Sequence, residues 1–151
     1  MTEWVPLEGS KRVAQLSRGA ATFVDVLLLP FTLPFQLIAW LFAEGGAVEV
    51  DLDTFRLRRG RRIVDVQDVD RARRLDDDGT AWLRLSARER FEFLVPLSGE
   101  ERMPALTRAT LLTIIPKTSI ALPDNPFGSS RRAFPDYLTR DEVVDLVSRL
   151  H

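Results

Sequence analysis

The sequence predicts an α+β protein: an N-terminal helical apolar arm or hairpin over residues 1–46, then a small antiparallel β-sandwich or barrel over residues 47–151, closed by a C-terminal helix. Three observations lead there. The run Val26–Ala43 holds 18 consecutive residues without a charge, in a chain of 151 residues that is 28% charged. After Gly45–Gly46 the hydrophobic period changes from helical to alternating. Near the end, Thr139 and Glu142 stand at capping-box spacing ahead of the apolar stripe Val143, Leu146, Val147 and Leu150.

In the arm, Val13, Leu16, Ala20, Phe23 and Val24 recur at helical spacing, with Ser10 as a candidate N-cap. Pro30 ends or kinks that helix. Thr32 and Pro34 read as cap and first turn of a second short helix through Phe42, stopped by Gly45–Gly46. A spanning helix needs roughly 20 apolar residues, so Val26–Ala43 sits at the threshold. Three placements stay open: one kinked span, a re-entrant hairpin, or an arm buried at an interface or inside an assembly. Basic residues flank both sides, Lys11, Arg12 and Arg18 before and Arg56 to Arg62 after, which favours returning both ends to the cytoplasmic face. Phe31, Phe35, Trp40 and Phe42 are the candidate membrane-associated side chains. Burial against protein would instead require polar partners for Asp25 and Gln36.

Beyond the glycines, Val48, Val50 and Leu52 alternate with Glu49, Asp51 and Asp53. The strand is expected to continue through Thr54–Arg58 after a bend at Asp53. Gly60 marks a tight turn, Arg61–Val66 returns, and Arg71–Leu75 reads as a weaker strand. Asp76–Gly79 is a turn cluster. Ala81, Leu83 and Leu85, then Phe91, Phe93 and Val95, alternate as two more strands. Residues 100–115 admit two readings, a helix opened at Pro104 or a strand over the β-branched run Thr110–Ile115. A strand is expected within Pro116–Leu122 and a loop over Pro123–Pro135. Leu138 and Val143 can form a hydrophobic staple around the closing helix.

This order resembles the bacterial pleckstrin-homology-like domains that follow membrane segments in small proteins. The resemblance covers about residues 47–150. It rests on VEVDLDTFRLRRGRRIVDVQDV, similar to the family's opening strands, and on the closing TRDEVVDLVSRL helix. Val66 stands where many members carry a tryptophan. In eukaryotic relatives, basic residues of the first hairpin contact lipid phosphates, which would implicate Arg56, Arg58, Arg59, Arg61 and Arg62. Arginine's planar fork suits that role. The competing reading is a solvated hairpin paired with Asp51, Asp53, Asp65 or Asp68.

The composition excludes much chemistry. There is no cysteine, and the one histidine is His151, so thiolate sites and histidine-based triads are absent. A net charge of -1 argues against nucleic acid as partner. Asp76–Asp78 lacks calcium-loop spacing, and the pairs Glu89/Glu92 and Glu100/Glu101 lack a pocket signal. Ser129–Ser130 has no base. Phe91, Phe93 and Trp82 read as core. Arginine outnumbers lysine 19 to 2, a usage expected of a GC-rich bacterial genome or a phage of such a host.

The expected role is therefore non-catalytic, with no cofactor and no metal. It would be a membrane-associated adaptor or scaffold, with the bulk of its chain cytoplasmic, binding a protein partner and anionic lipid. Whether it forms homo- or hetero-oligomers stays open. The alternative is a structural subunit of a phage or secretion assembly whose apolar arm packs into neighbouring subunits.

Overall fold

The structure, a computed structural model, describes residues 3–10, 47–88, 91–98 and 102–150. The apolar run with Phe31, Phe35, Trp40 and Phe42, the two-helix reading of the arm, Glu89, Glu100, Glu101 and His151 lie outside the described residues. Among the described residues, eight strands form two four-stranded antiparallel sheets. The first contains β1 (Trp4–Pro6), β2 (Glu49–Asp51), β3 (Arg56–Arg59) and β4 (Arg62–Asp65), in that order. The second contains β5 (Val69–Asp77), β6 (Thr80–Ala87), β7 (Phe91–Ser98) and β8 (Tyr137–Leu138), ordered β7-β6-β5-β8. Helices α1 (Ala105–Ile114), α2 (Ser130–Ala133) and α3 (Arg140–Ser148) complete the order. The α+β class and the closing helix agree with the sequence reading.

Each sheet has one face in the core, as period-2 alternation requires. Val50 and Leu57 from the first sheet meet Leu83, Leu85, Phe93 and Val95 from the second in one buried cluster. Phe91 and Phe93 pack edge to face, with centroids 6.1 Å apart. Two tight hairpins follow their turn chemistry. Asp78 and Gly79 both take positive φ, as a type I′ turn demands. In the β3–β4 turn, Gly60 takes positive φ at the first central position, the sign pattern of type II′.

Residues 3–10 belong to the sheet unit. β1 pairs with β2, Leu7 is fully buried, and Thr107 donates to the Glu8 carbonyl at 3.0 Å. A boundary at Gly46 would therefore cut this strand from its partner. Three further expectations need correction, and one open choice is decided. Residues 52–55 do not bend a continuing strand; they reverse the chain into β3. Asp51 drives that reversal by accepting from the Asp53 and Thr54 amides and the Thr54 hydroxyl. β5 is a nine-residue strand rather than a weak one. Of the two readings of residues 100–115, the helix opened at Pro104 is the one found: α1 runs to Ile114, because helical spacing puts Leu111, Ile114 and Ile115 together in the core. Pro116–Leu122 forms no strand either. Only Ser119 and Ala121 reach β5, donating to the Val69 and Asp70 carbonyls.

The closing helix follows its local signals. The Thr139–Glu142 capping box forms, Val143 and Val147 are buried, and Leu138, Val144, Leu146 and Leu150 pack against the cluster. Arg108 of α1 caps its far end, donating to the Val147 and Ser148 carbonyls at 3.1 and 2.6 Å.

Candidate functional site

The hairpin β3–β4 carries all five singled-out arginines, but it does not gather them. Successive residues of a strand point to opposite faces. Arg56 and Arg58 therefore share one face, Leu57 and Arg59 the other. Arg56 lies opposite Asp65 in register and pairs with it at 3.2 Å. Arg58 lies opposite Glu49 and pairs with it at 2.6 Å, its guanidinium 4.2 Å from the centre of the Trp4 ring. Arg59 is 8% exposed and turned toward the second sheet. Its Nη1 donates to the Glu92 carbonyl at 2.6 Å, and its guanidinium sits 5.0 Å from the Phe91 ring centre. Arg61 and Arg62 are exposed at the tip, beside Ile63, which is 53% exposed.

Strand alternation thus keeps Arg58, Arg59, Arg61 and Arg62 from facing solvent together. Of the acids weighed as partners, Asp65 pairs within the hairpin. Asp68 pairs with Arg88 at 2.6 Å, and Asp51 is spent on the 52–55 turn. Hydrogen bonding from the Thr54 hydroxyl, against the opposing effect of burial, holds the Asp51 carboxyl below its usual 3.8. Glu49 was legible as Arg58's neighbour once β2 and β3 are antiparallel.

Other singled-out residues have structural surroundings. Asp76 pairs with Arg74 at 3.5 Å, and Asp78 forms the turn. Glu92 pairs with Arg84 at 2.5 Å. Arg131 forks onto both Glu142 carboxylate oxygens at 2.6 Å and donates to the Tyr137 carbonyl at 2.9 Å, tying α2 to α3. Hydrogen bonding from the Thr139 amide first, then from Arg131, keeps the Glu142 carboxyl below its usual 4.5. Trp82 is buried, yet it lies on the face of β6 opposite Leu83 and outside the core cluster.

Among the described residues, no group of three or more metal-ligating side chains is clustered, and no helix is long and apolar enough to cross a membrane. A concavity of about 350 Å³ beside the hairpin is lined by Thr54, Phe55, Arg56, Asp65, Gln67 and Lys117. The sequence reading passed over another set of residues, Arg71, Arg73 and Arg84 on the solvent face of β5–β6. The i, i+2 spacing in Arg71-Ala72-Arg73 was the available signal, because it places both arginines on one side of a strand. No family model, curated protein or solved structure matches the chain.

Proposed function

We propose that the protein is a non-catalytic membrane-associated adaptor. In this reading, residues 11–46 attach a pleckstrin-homology-like sheet domain to the cytoplasmic face of a membrane, and the domain presents a surface to a protein partner. One observation carries the reading. The chain leaves the first sheet at Ser10 and re-enters it at Val48. The Val48 amide donates to Ser10 Oγ at 2.9 Å across 38 positions of sequence, and the Leu7 amide donates to the Val48 carbonyl at 2.7 Å. Both ends of the uncharged run's segment are thus tied together at one end of the β1–β2 pair. An attachment that starts and ends at one point suits a segment that enters a bilayer and returns, and disfavours a single crossing. Two four-stranded sheets with a closing helix support the pleckstrin-homology-like part of the proposal.

Lipid contact by the hairpin falls to Arg61 at the exposed tip, with Ile63 reaching between headgroups. Arg56 and Arg58 are neutralised by carboxylates, and Arg59 serves the sheet contact. A basic residue near an anionic surface contributes about 1 kcal/mol, so the tip adds to the attachment without replacing it.

Flotation with liposomes tests the reading. The full chain should float. A variant joining Ser10 to Ala47 by a short Gly-Ser linker should stay at the bottom of the gradient with its fold intact. Residues 3–10 must remain, because Leu7 is in the core. A full chain that is monomeric and soluble without lipid or detergent overturns the membrane assignment. One that becomes soluble only with a co-purifying subunit favours the assembly alternative.

A further inference from the structure

The solvent face of the second sheet holds a cleft of about 430 Å³, walled by the sheet, Pro123, and the aromatic pair Phe134 and Tyr137. Its floor is basic in an unusual way. Arg73 and Arg84 stand directly opposite each other on β5 and β6, and Arg71 lies two residues along on the same face. Like charges directly across a ladder repel, so this arrangement costs stability unless something anionic offsets it. The protein supplies two carboxylates, Glu92 on Arg84 at 2.5 Å and Asp136 on Arg73 at 3.3 Å. Arg71 has none: its Nη1 donates to the Asp70 and Ala121 carbonyls, at 3.1 and 3.3 Å, and among the described residues no carboxylate pairs with it. Arg73 Nε is buried without a hydrogen-bond acceptor. Three guanidiniums against two carboxylates leave the cleft net positive, with donors to spare.

The wall adds a second chemistry. Phe134 and Tyr137 meet edge to face, with centroids 5.6 Å apart, and the Arg73 guanidinium lies 5.5 Å from the Tyr137 ring centre. A flat apolar group can lie along this wall while an oxyanion meets the guanidinium forks. The volume is within the range of small-molecule sites. We propose that this cleft binds a phosphate monoester carried on an aromatic or heterocyclic ring, with Arg71 as the principal phosphate contact and Tyr137 as the ring contact. The site is separate from the arginine hairpin, and it does not depend on membrane attachment.

Calorimetric titration of the full chain in zwitterionic detergent tests the assignment, with phenyl phosphate as probe and inorganic phosphate and benzoate as comparators. Phenyl phosphate should bind saturably at one site, more tightly than either comparator, and weaken with salt. Arg71→Ser should reduce its affinity at least about tenfold, as loss of a charge-assisted contact predicts. Arg71→Lys, which keeps the charge and loses the fork, should fall between. Arg61→Ser, at the hairpin tip, should leave affinity unchanged. Thermal unfolding of each variant controls for folding. No saturable binding of phenyl phosphate at low salt overturns the site. Equal affinity for inorganic phosphate overturns the ring contact, and equal affinity for benzoate overturns the preference for phosphate.

Discussion

The protein has two arginine-rich strand pairs, and they distribute their charge in opposite ways. In β3–β4, five arginines fall within seven positions of sequence, yet alternation sends them to two faces and a tip. Arg56, Arg58 and Arg59 each end on an acceptor of their own: Asp65, Glu49 and the Glu92 carbonyl. In β5–β6, Arg71, Arg73 and Arg84 are farther apart in the chain, yet they share one face, with two of them directly opposed. A dense run of cations in a strand is therefore a poor guide to a concentrated positive surface. Spacing of two and cross-strand register decide where charge accumulates.

The contrast can be broken first at Arg59. If it bridges the sheets, Arg59→Ala removes a charge-assisted hydrogen bond and leaves the Glu92 carbonyl without that donor. Chemical denaturation should show a loss of about 2 kcal/mol. A loss near zero would return Arg59 to the solvent-exposed set and undo the division of the hairpin.

Arg58→Ala should cost less, about 1 kcal/mol, because its ion pair with Glu49 and its contact with Trp4 are only half-buried. Arg56→Ala should cost about 0.5 kcal/mol or less, its pair with Asp65 being about half exposed on both sides. The order Arg59, Arg58, Arg56 follows burial. Any other order in parallel melts would count against the face assignment.

The smallest effect appears in acid. Asp51, whose carboxyl is held below its usual 3.8, anchors the turn that feeds β3. A depressed carboxyl contributes stability that is present above its unfolded value and is lost as pH falls through its folded value. Asp51→Asn should therefore be less stable than the parent at pH 7, and the gap should close as pH drops below about 3.8. A gap that persists unchanged at pH 2 would mean that shape alone, and not charge, makes the turn.

Legibility followed the range of the signals. The closing helix was readable because its cap, its staple and its stripe all lie within Leu138–Leu150. The Asp78–Gly79 turn was readable for the same reason. α1 was ambiguous because Thr110–Ile115 has the composition of a strand, and only the packing of Leu111, Ile114 and Ile115 decides for helix. β1 left no trace: three residues ending at Pro6 do not announce a strand, and their partner lies beyond the apolar run. At the candidate site, the five arginines were visible but their faces were misjudged. Placing β3 as the continuation of β2 hid the pairing that sets Arg58 against Glu49. The cleft was missed because it needs the register of β5 on β6 together with Tyr137, which arrives from far along the chain.

The central claim is that one end of the β1–β2 pair holds both ends of a membrane-attached segment. The chain has no cysteine, so single reporters can be placed without a background. Glu3→Cys precedes the segment and Asp124→Cys follows it, and both positions are exposed. Each variant, reconstituted or expressed in sealed vesicles of known orientation, is labelled with a membrane-impermeant maleimide. The account predicts that both reporters label from the same side, the cytoplasmic one, while the protein stays in the membrane fraction. Labelling from opposite sides would contradict it.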